Sequence, residues 1–305
     1  MLLALLLGSV GYYLALSNPI PDFSREESYA VEVEDEQLEK VTDAGPVQLS
    51  YRAGPSRMLE FSFRQSDSSG AANVLTRIDV GLEEKRRKFD EKPGVELERT
   101  YQKVGVTIRE GDKSVGPRIT AQIESLLIGS REVARFDANG KPMGFDWESV
   151  TNPQVRQTLS IMRNTTLLVM PRLRRGAVNP GDEWKYRMGA DILEDDRVDS
   201  IDGDVNVLER YVGVVERDNR RLAVIDRTLD ISGSGEIRLV DEDAPRAFDV
   251  AGQGSGRVLF DVDAGEIVRS TLTFDRELTI EGASDQNRTR KGHFDLLLRE
   301  KKPDR

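Results

Sequence analysis

Three glycines at alternate positions, Gly252, Gly254 and Gly256, are the first candidate site in this 305-residue chain. A glycine-rich phosphate loop offers backbone N–H groups to an anion, but it needs a strand before it and a helix after it. Here Arg257 to Asp261 continue as strand, so the spacing does not describe a nucleotide site. Bare alternate positions leave one face of a strand open to sharp bending, or to close approach by a helix or an apolar ligand. His293 is the one histidine, and Asp295, two residues on, shares its strand face. No Gly-x-Ser-x-Gly elbow accompanies them, so a hydrolytic triad has no anchor. Asp195, Asp196, Asp199, Asp202 and Asp204 crowd one stretch, yet aligning Gly203 with the glycine of a calcium loop puts Val198 where the first aspartate belongs. That stretch reads as a solvated hairpin loop, and no metal is expected.

Cysteine is absent, which removes thiolate nucleophiles, thiolate zinc sites and iron–sulfur clusters. A single histidine rules out multi-histidine metal sites. Carboxylate pairs can always be drawn among 54 acidic residues and so carry no signal. The expectation is a protein that is not an enzyme and has no cofactor, with a carboxylate-dependent hydrolase as the weakest alternative. A net charge of −10 repels phosphate backbones and argues against nucleic acid as a partner.

The elements that would position any site are mainly β. Residues 1–17 are apolar from Leu2 to Leu16 and read as a signal peptide or N-terminal membrane anchor, although the positive start is missing. A buried core helix is the alternative. Residues 18–45 are an acidic linker opened by Pro19 and Pro21. Residues 46–300 form one β-rich domain with two candidate duplicated halves, 46–150 and 180–300, joined by a helical insert at 152–175. The duplication rests on an echo: Phe136-Asp137 leads through Gly140 to Phe145-Asp146, and Phe260-Asp261 leads through Gly265 to Phe274-Asp275.

In the first block, alternation predicts strands over Val47–Tyr51 and Met58–Phe63 with a turn at Gly54-Pro55, and a strand pair within Val95–Glu110; Ile119–Ile128 fits a strand or a short helix, and the strand is preferred. Val74–Phe89 is ambiguous, because Glu83 to Lys88 are all charged. In the second block, strands are expected over Trp184–Ile192, Val205–Glu216, Arg221–Ile231, Phe248–Val262, Glu266–Ile280 and Thr289–Leu298. Turns fall at Asp202-Gly203, Asp218-Asn219, Asp263-Ala264-Gly265 and Glu281-Gly282. The insert starts at Asn152-Pro153, carries Val155, Leu159 and Met162 at helical spacing, and stops at Pro171. Arg172, Arg174 and Arg175 then cap the negative end of the helix or meet an anionic lipid or partner. Trp184 and Tyr186 close the insert against the second block.

The fold class is therefore mainly β (α+β): a large curved antiparallel sheet or half-barrel wrapped around a central helical segment. Pro171, Gly181, Asp182 and Trp184, with the Phe-Asp…Gly hairpins on either side, give a layout that resembles bacterial envelope proteins and, through them, the lipoprotein-carrier (Lol-type) half-barrel. The resemblance implies a non-catalytic protein of the bacterial periplasm or cell envelope, tethered or exported through its N-terminal segment. It implies a concave face for an apolar ligand such as a lipid, an acyl chain or a lipoprotein segment. The candidate ligand-binding residues are Val155, Leu159, Met162, Trp184, Gly252, Gly254 and Gly256; the candidate contacts to an anion or envelope partner are Arg172, Arg174 and Arg175. The alternative is a structural or interaction module whose concavity is filled by its own helix.

Overall fold

The structure is a computed structural model that describes residues 45–69, 72–89, 93–110, 113–114, 117–146, 162–189, 198–237, 244–282 and 287–301. The N-terminal segment 1–17 and nearly all of the acidic linker lie outside the described residues, as do Asn152, Val155, Leu159, Asp195 and Asp196.

The strands are, in chain order, β1 (Val47–Gln48), β2 (Gly54–Ser69), β3 (Ala72–Lys88), β4 (Gly94–Glu110), β5 (Lys113–Ser114), β6 (Arg131–Asp137), β7 (Pro142–Asp146), β8 (Ala177–Val178), β9 (Glu183–Gly189), β10 (Val198–Arg217), β11 (Arg220–Ile237), β12 (Arg246–Asp261), β13 (Glu266–Ile280) and β14 (Arg288–Glu300). One large open antiparallel sheet runs β7-β6-β4-β3-β2-β14-β13-β12-β11-β10-β9, with β5 added beside β4; β1 and β8 pair separately. Among the described residues two helical stretches accompany it: α1 (Pro117–Leu127) and residues 162–169, called α2.

Period-two alternation explains most of this. Because directly opposed residues share a face, the register draws rows across the sheet. One row reads Val106, Ile78, Phe63, Leu296, Leu272, Gly256, Arg227, Glu209; the next reads Val104, Val80, Phe61, Leu298, Ser270, Val258, Ile225, Tyr211. All the aliphatic and aromatic members of these rows are buried. Register shifts at Gly54/Arg57, Gly81/Leu82, Tyr211/Gly213 and Leu259/Phe260 interrupt the long ladders, and bulges of this kind bend strands and tighten their twist.

The turns follow their residue types. Asp218 and Asn219 both take left-handed φ (50° and 59°), which gives a two-residue hairpin between β10 and β11. Asp137 and Asp261 each fold a carboxylate back onto the following backbone, accepting from Asn139 and Lys141, and from Asp263 and Ala264, at 2.7–2.9 Å. These two turns hold one dipeptide between them: the Tyr51 N–H donates to Ala138 and the Arg52 N–H to Gly265.

Several expectations are corrected. Ile119–Ile128 is not a strand: α1 buries Ile123 and Leu127, four apart on one helical face, and Gly129 closes it with φ 81°. The helix covers the open edge of β4, where Glu124 accepts the Val106 N–H at 2.8 Å. Val95–Glu110 is one strand rather than a pair. Gly54-Pro55 is an irregular start of β2 rather than a turn. Asp202-Gly203 lies inside β10, because Gly203 packs on Gly233 of the neighbouring strand and the ladder passes through unbroken.

Candidate functional site

α2 and the extended residues after it lie against the buried rows just described. Met162, Thr165, Thr166, Leu168 and Val169 are buried, whereas Arg163, Asn164 and Leu167 are half-buried on the opposite side. A helix stopped by Pro171 leaves its last carbonyls without partners from a further turn. Side chains from elsewhere in the fold supply them. Arg227 Nη1 donates to Leu168 O (2.5 Å), Ser270 Oγ to Val169 O (2.6 Å), Tyr51 Oη to Pro171 O (3.0 Å) and Trp184 Nε1 to Arg172 O (2.5 Å). The Leu173 N–H returns to Asn139 O at 2.7 Å. The chain thus fills this part of the face with its own backbone.

Two charged clusters support that contact. In the first, Glu84 accepts from Arg57 Nη2 (2.6 Å) and Arg99 Nε (2.9 Å). Burial would push its carboxyl up, but the two guanidiniums and their hydrogen bonds prevail and lower it to about 2. Arg57, Arg86 and Arg220 all reach Glu266, and Arg220 also bridges Asp261 and Glu300. Arg99 Nη2 touches the Met170 sulfur at 3.6 Å, which links this cluster to the segment after α2.

In the second cluster Glu209 accepts from Arg227 Nη2 (2.7 Å) and Tyr186 Oη (2.8 Å). Burial pushes the Glu209 carboxyl up, and Arg227 and Tyr186 pull it back only in part. Burial, then Glu209, pushes the Tyr51 and Tyr186 phenols up, so both remain hydrogen-bond donors. Glu132 stands opposite Arg99 in the register and accepts from Tyr101 at 3.2 Å; burial raises it too. These acids sit beside guanidiniums or phenols, an arrangement that positions backbone and satisfies charge. His293 is exposed on β14, with Nδ1 2.7 Å from Asp275 and Nε2 3.4 Å from Asp295.

Beside α2 there is a cleft of about 570 Å³. One wall is the β6–β7 hairpin (Gly140, Lys141, Pro142, Phe145), the other the end of β9 (Arg187, Met188, Gly189), and the floor is Arg163, Asn164, Leu167, Met170 and Arg172. β7 and β9 are the two ends of the strand order, so the sheet curves far enough for both ends to flank one helix. Arg163 stacks over Phe145 (5.2 Å) and Arg172 over Tyr186 (4.9 Å).

Of the residues singled out from sequence, Met162 lies in α2 on its buried side and Trp184 donates to the Arg172 carbonyl. Gly252, Gly254 and Gly256 lie in β12 against β13. A Cβ at Gly254 would stand 2.6 Å from the Thr273 carbonyl oxygen, and at Gly252 and Gly256 it would run into Asp275 and Thr271. Gly254→Ala is accordingly expected to destabilise by about 1–3 kcal/mol. Thermal unfolding measures this, and an unchanged midpoint would show that β13 does not require the glycine. The arginines take separate places: Arg172 over Tyr186, Arg174 in an ion pair with Asp182 (3.1 Å), and Arg175 exposed. The helix end is met by Arg227 and Ser270. Sequence reading missed Glu84, Arg99, Glu209 and Arg227, whose one signal is charge at inward-facing strand positions.

No family model matches the chain, and no curated protein matches it. Among solved structures it is similar to lipovitellin, from a study of lipid–protein interactions in that protein, with a TM-score of 0.50 and 9% identity over 84% of this chain. The chain spans about a quarter (26%) of the lipovitellin chain. A protein of Bacteroides fragilis NCTC 9343 with a YmcC-like fold aligns over 85% of this chain and all (100%) of its own, at 12% identity and a TM-score of 0.24. The chain shares with lipovitellin the architecture of a large antiparallel sheet, at an identity that speaks for fold alone.

Proposed function

We propose that this protein is a non-catalytic binder or carrier of an apolar or amphipathic ligand in the bacterial periplasm or cell envelope, its sheet serving as a half-barrel closed on one side by α2. The observation that carries the reading is the cleft where the two ends of the strand order meet. It has a volume in the range of small-molecule sites and is walled in part by Phe145, Leu167, Met170 and Met188. The likeness to the lipovitellin sheet and the resemblance to lipoprotein carriers point the same way. The apolar run Leu2 to Leu16 suits export or anchoring.

A second reading, a structural or interaction module, is favoured by the Leu168–Arg172 backbone, whose carbonyls are already received by buried side chains. Native mass spectrometry of protein purified from its own envelope without detergent separates the two. The binder carries a lipid adduct that is lost in Leu167→Trp, which fills the cleft. If no adduct is present and no environment-sensitive naphthylamine dye binds saturably, the self-filled module stands instead.

A further inference from the structure

The cleft has a charge opposite to that of the chain around it. The whole protein carries a formal charge of −10, yet the described residues that line the cleft include Lys141, Arg163, Arg172 and Arg187 and no carboxylate. Arg187 is paired with Asp204 at 3.1 Å; among the described residues no carboxylate forms an ion pair with the other three. Among the described residues, Arg163 donates from Nε to Asn164 at 3.0 Å, and Arg172 from Nη1 to the Arg187 carbonyl at 3.2 Å. Each of these two guanidiniums lies over an aromatic ring, which restrains it while leaving its outer N–H groups able to donate to a ligand. A planar fork held in this way suits an oxyanion.

The apolar part of the cleft is of a different kind. Leu167 and Met170 lie on the floor, with Phe145 and Met188 on opposite walls. Two flexible methionines adapt to an irregular chain better than to one rigid shape. Cationic edges next to an apolar slot are complementary to a molecule that is anionic at one end and oily at the other.

We infer that the ligand is a single-chain amphiphile with a phosphate or carboxylate head, the head held by Arg163 and Arg172 with Lys141 beside them, and the chain lying along Leu167, Met170 and Met188. This rests on the binding function proposed above and adds the headgroup. Such a ligand spans both walls, so it ties the β6–β7 hairpin to β9 and raises the unfolding temperature.

The test is isothermal titration of the full chain with lysophosphatidic acid, the matching monoacylglycerol and glycerol phosphate, each below its aggregation concentration. Lysophosphatidic acid is expected to bind at least tenfold more tightly than either of the others, and more weakly as salt rises. Arg163→Gln and Arg172→Gln should each lose about tenfold for lysophosphatidic acid, as expected when a charge-assisted hydrogen bond is removed, while leaving the monoacylglycerol unaffected. Lys141→Gln, at an exposed turn, repeats the comparison without risk to folding. Equal affinity for lysophosphatidic acid and monoacylglycerol, unchanged by these substitutions, overturns the headgroup assignment and leaves apolar binding intact. Equal affinity for glycerol phosphate alone overturns the amphiphile in favour of a simple anion site. Failure of both acyl compounds to bind overturns the proposed function itself.

Discussion

Glu84→Gln is expected to cost about 3–5 kcal/mol of folding stability, out of a total that for a domain is only about 5–15 kcal/mol. The substitution keeps the shape and removes the charge. Glu84 is 1% exposed and lies between Arg57 and Arg99, so the variant leaves two guanidiniums facing a neutral amide where water does not reach. Arg57 retains Glu266 at 3.4 Å, but Arg99 has only Glu132 opposite, a carboxyl that burial pushes toward its neutral form. Urea unfolding should show a lower midpoint at an unchanged slope; a shift worth less than about 1 kcal/mol would mean that the cluster contributes no net stability. The pH dependence has a definite sign. The Glu84 carboxyl is lowered to about 2 in the fold, so its contribution is complete above the ordinary carboxylate range and is lost as pH falls from about 4.5 through 2. That loss is about 3 kcal/mol. Glu84→Gln should lack this part of the acid transition, and parallel acid profiles for the two proteins would refute the assignment.

Arg227→Met is the second large effect, again about 3–5 kcal/mol. The guanidinium is buried between Glu209 and the Leu168 carbonyl, so its removal leaves both an unpaired carboxylate and an unsatisfied helix end. Hydrogen exchange should therefore quicken in residues 162–173 more than in β13. The double variant Arg227→Met/Glu209→Gln should recover about 2 kcal/mol, because a neutral amide is cheaper to bury than an unpaired carboxylate. Burial already raises Glu209, and losing Arg227 raises it further. A carboxyl with a raised value in the fold favours folding at low pH and opposes it as pH rises through that value. The deficit of the single variant should thus shrink on acidification, opposite to the behaviour of Glu84. A deficit that grows on acidification, or no recovery in the double variant, would contradict this account.

The two blocks of strands were legible because their alternation is clean. Glu266–Ile280 emerges with its expected bounds, and the Asp218-Asn219 and Asp263-Ala264-Gly265 turns carry residues that accept the required backbone. What stayed hidden has a common cause. Within Glu83 to Lys88 both faces of the strand are charged, so parity gives no direction; only pairing with Arg57 and Arg99 in other strands shows that Glu84 points inward. Arg227 and Glu209 meet for the same reason, through a register that no local pattern encodes. Ile119–Ile128 misled because two apolar residues four apart fit either period in so short a run. The cleft was out of reach of local reading, since its walls come from β7 and β9, at opposite ends of the strand order.

Among the described strands of the large sheet, β2 and β14 form the one junction between the two blocks, pairing Leu59 with Glu300 and Ser68 with Lys291. Partners so distant in sequence make loop closure slow, and folding rates fall as such contacts dominate. The nascent chain therefore carries an unmatched edge on β2 until β14 has been synthesised. Until that edge is matched it is open to wrong partners, a hazard that chaperones relieve during folding.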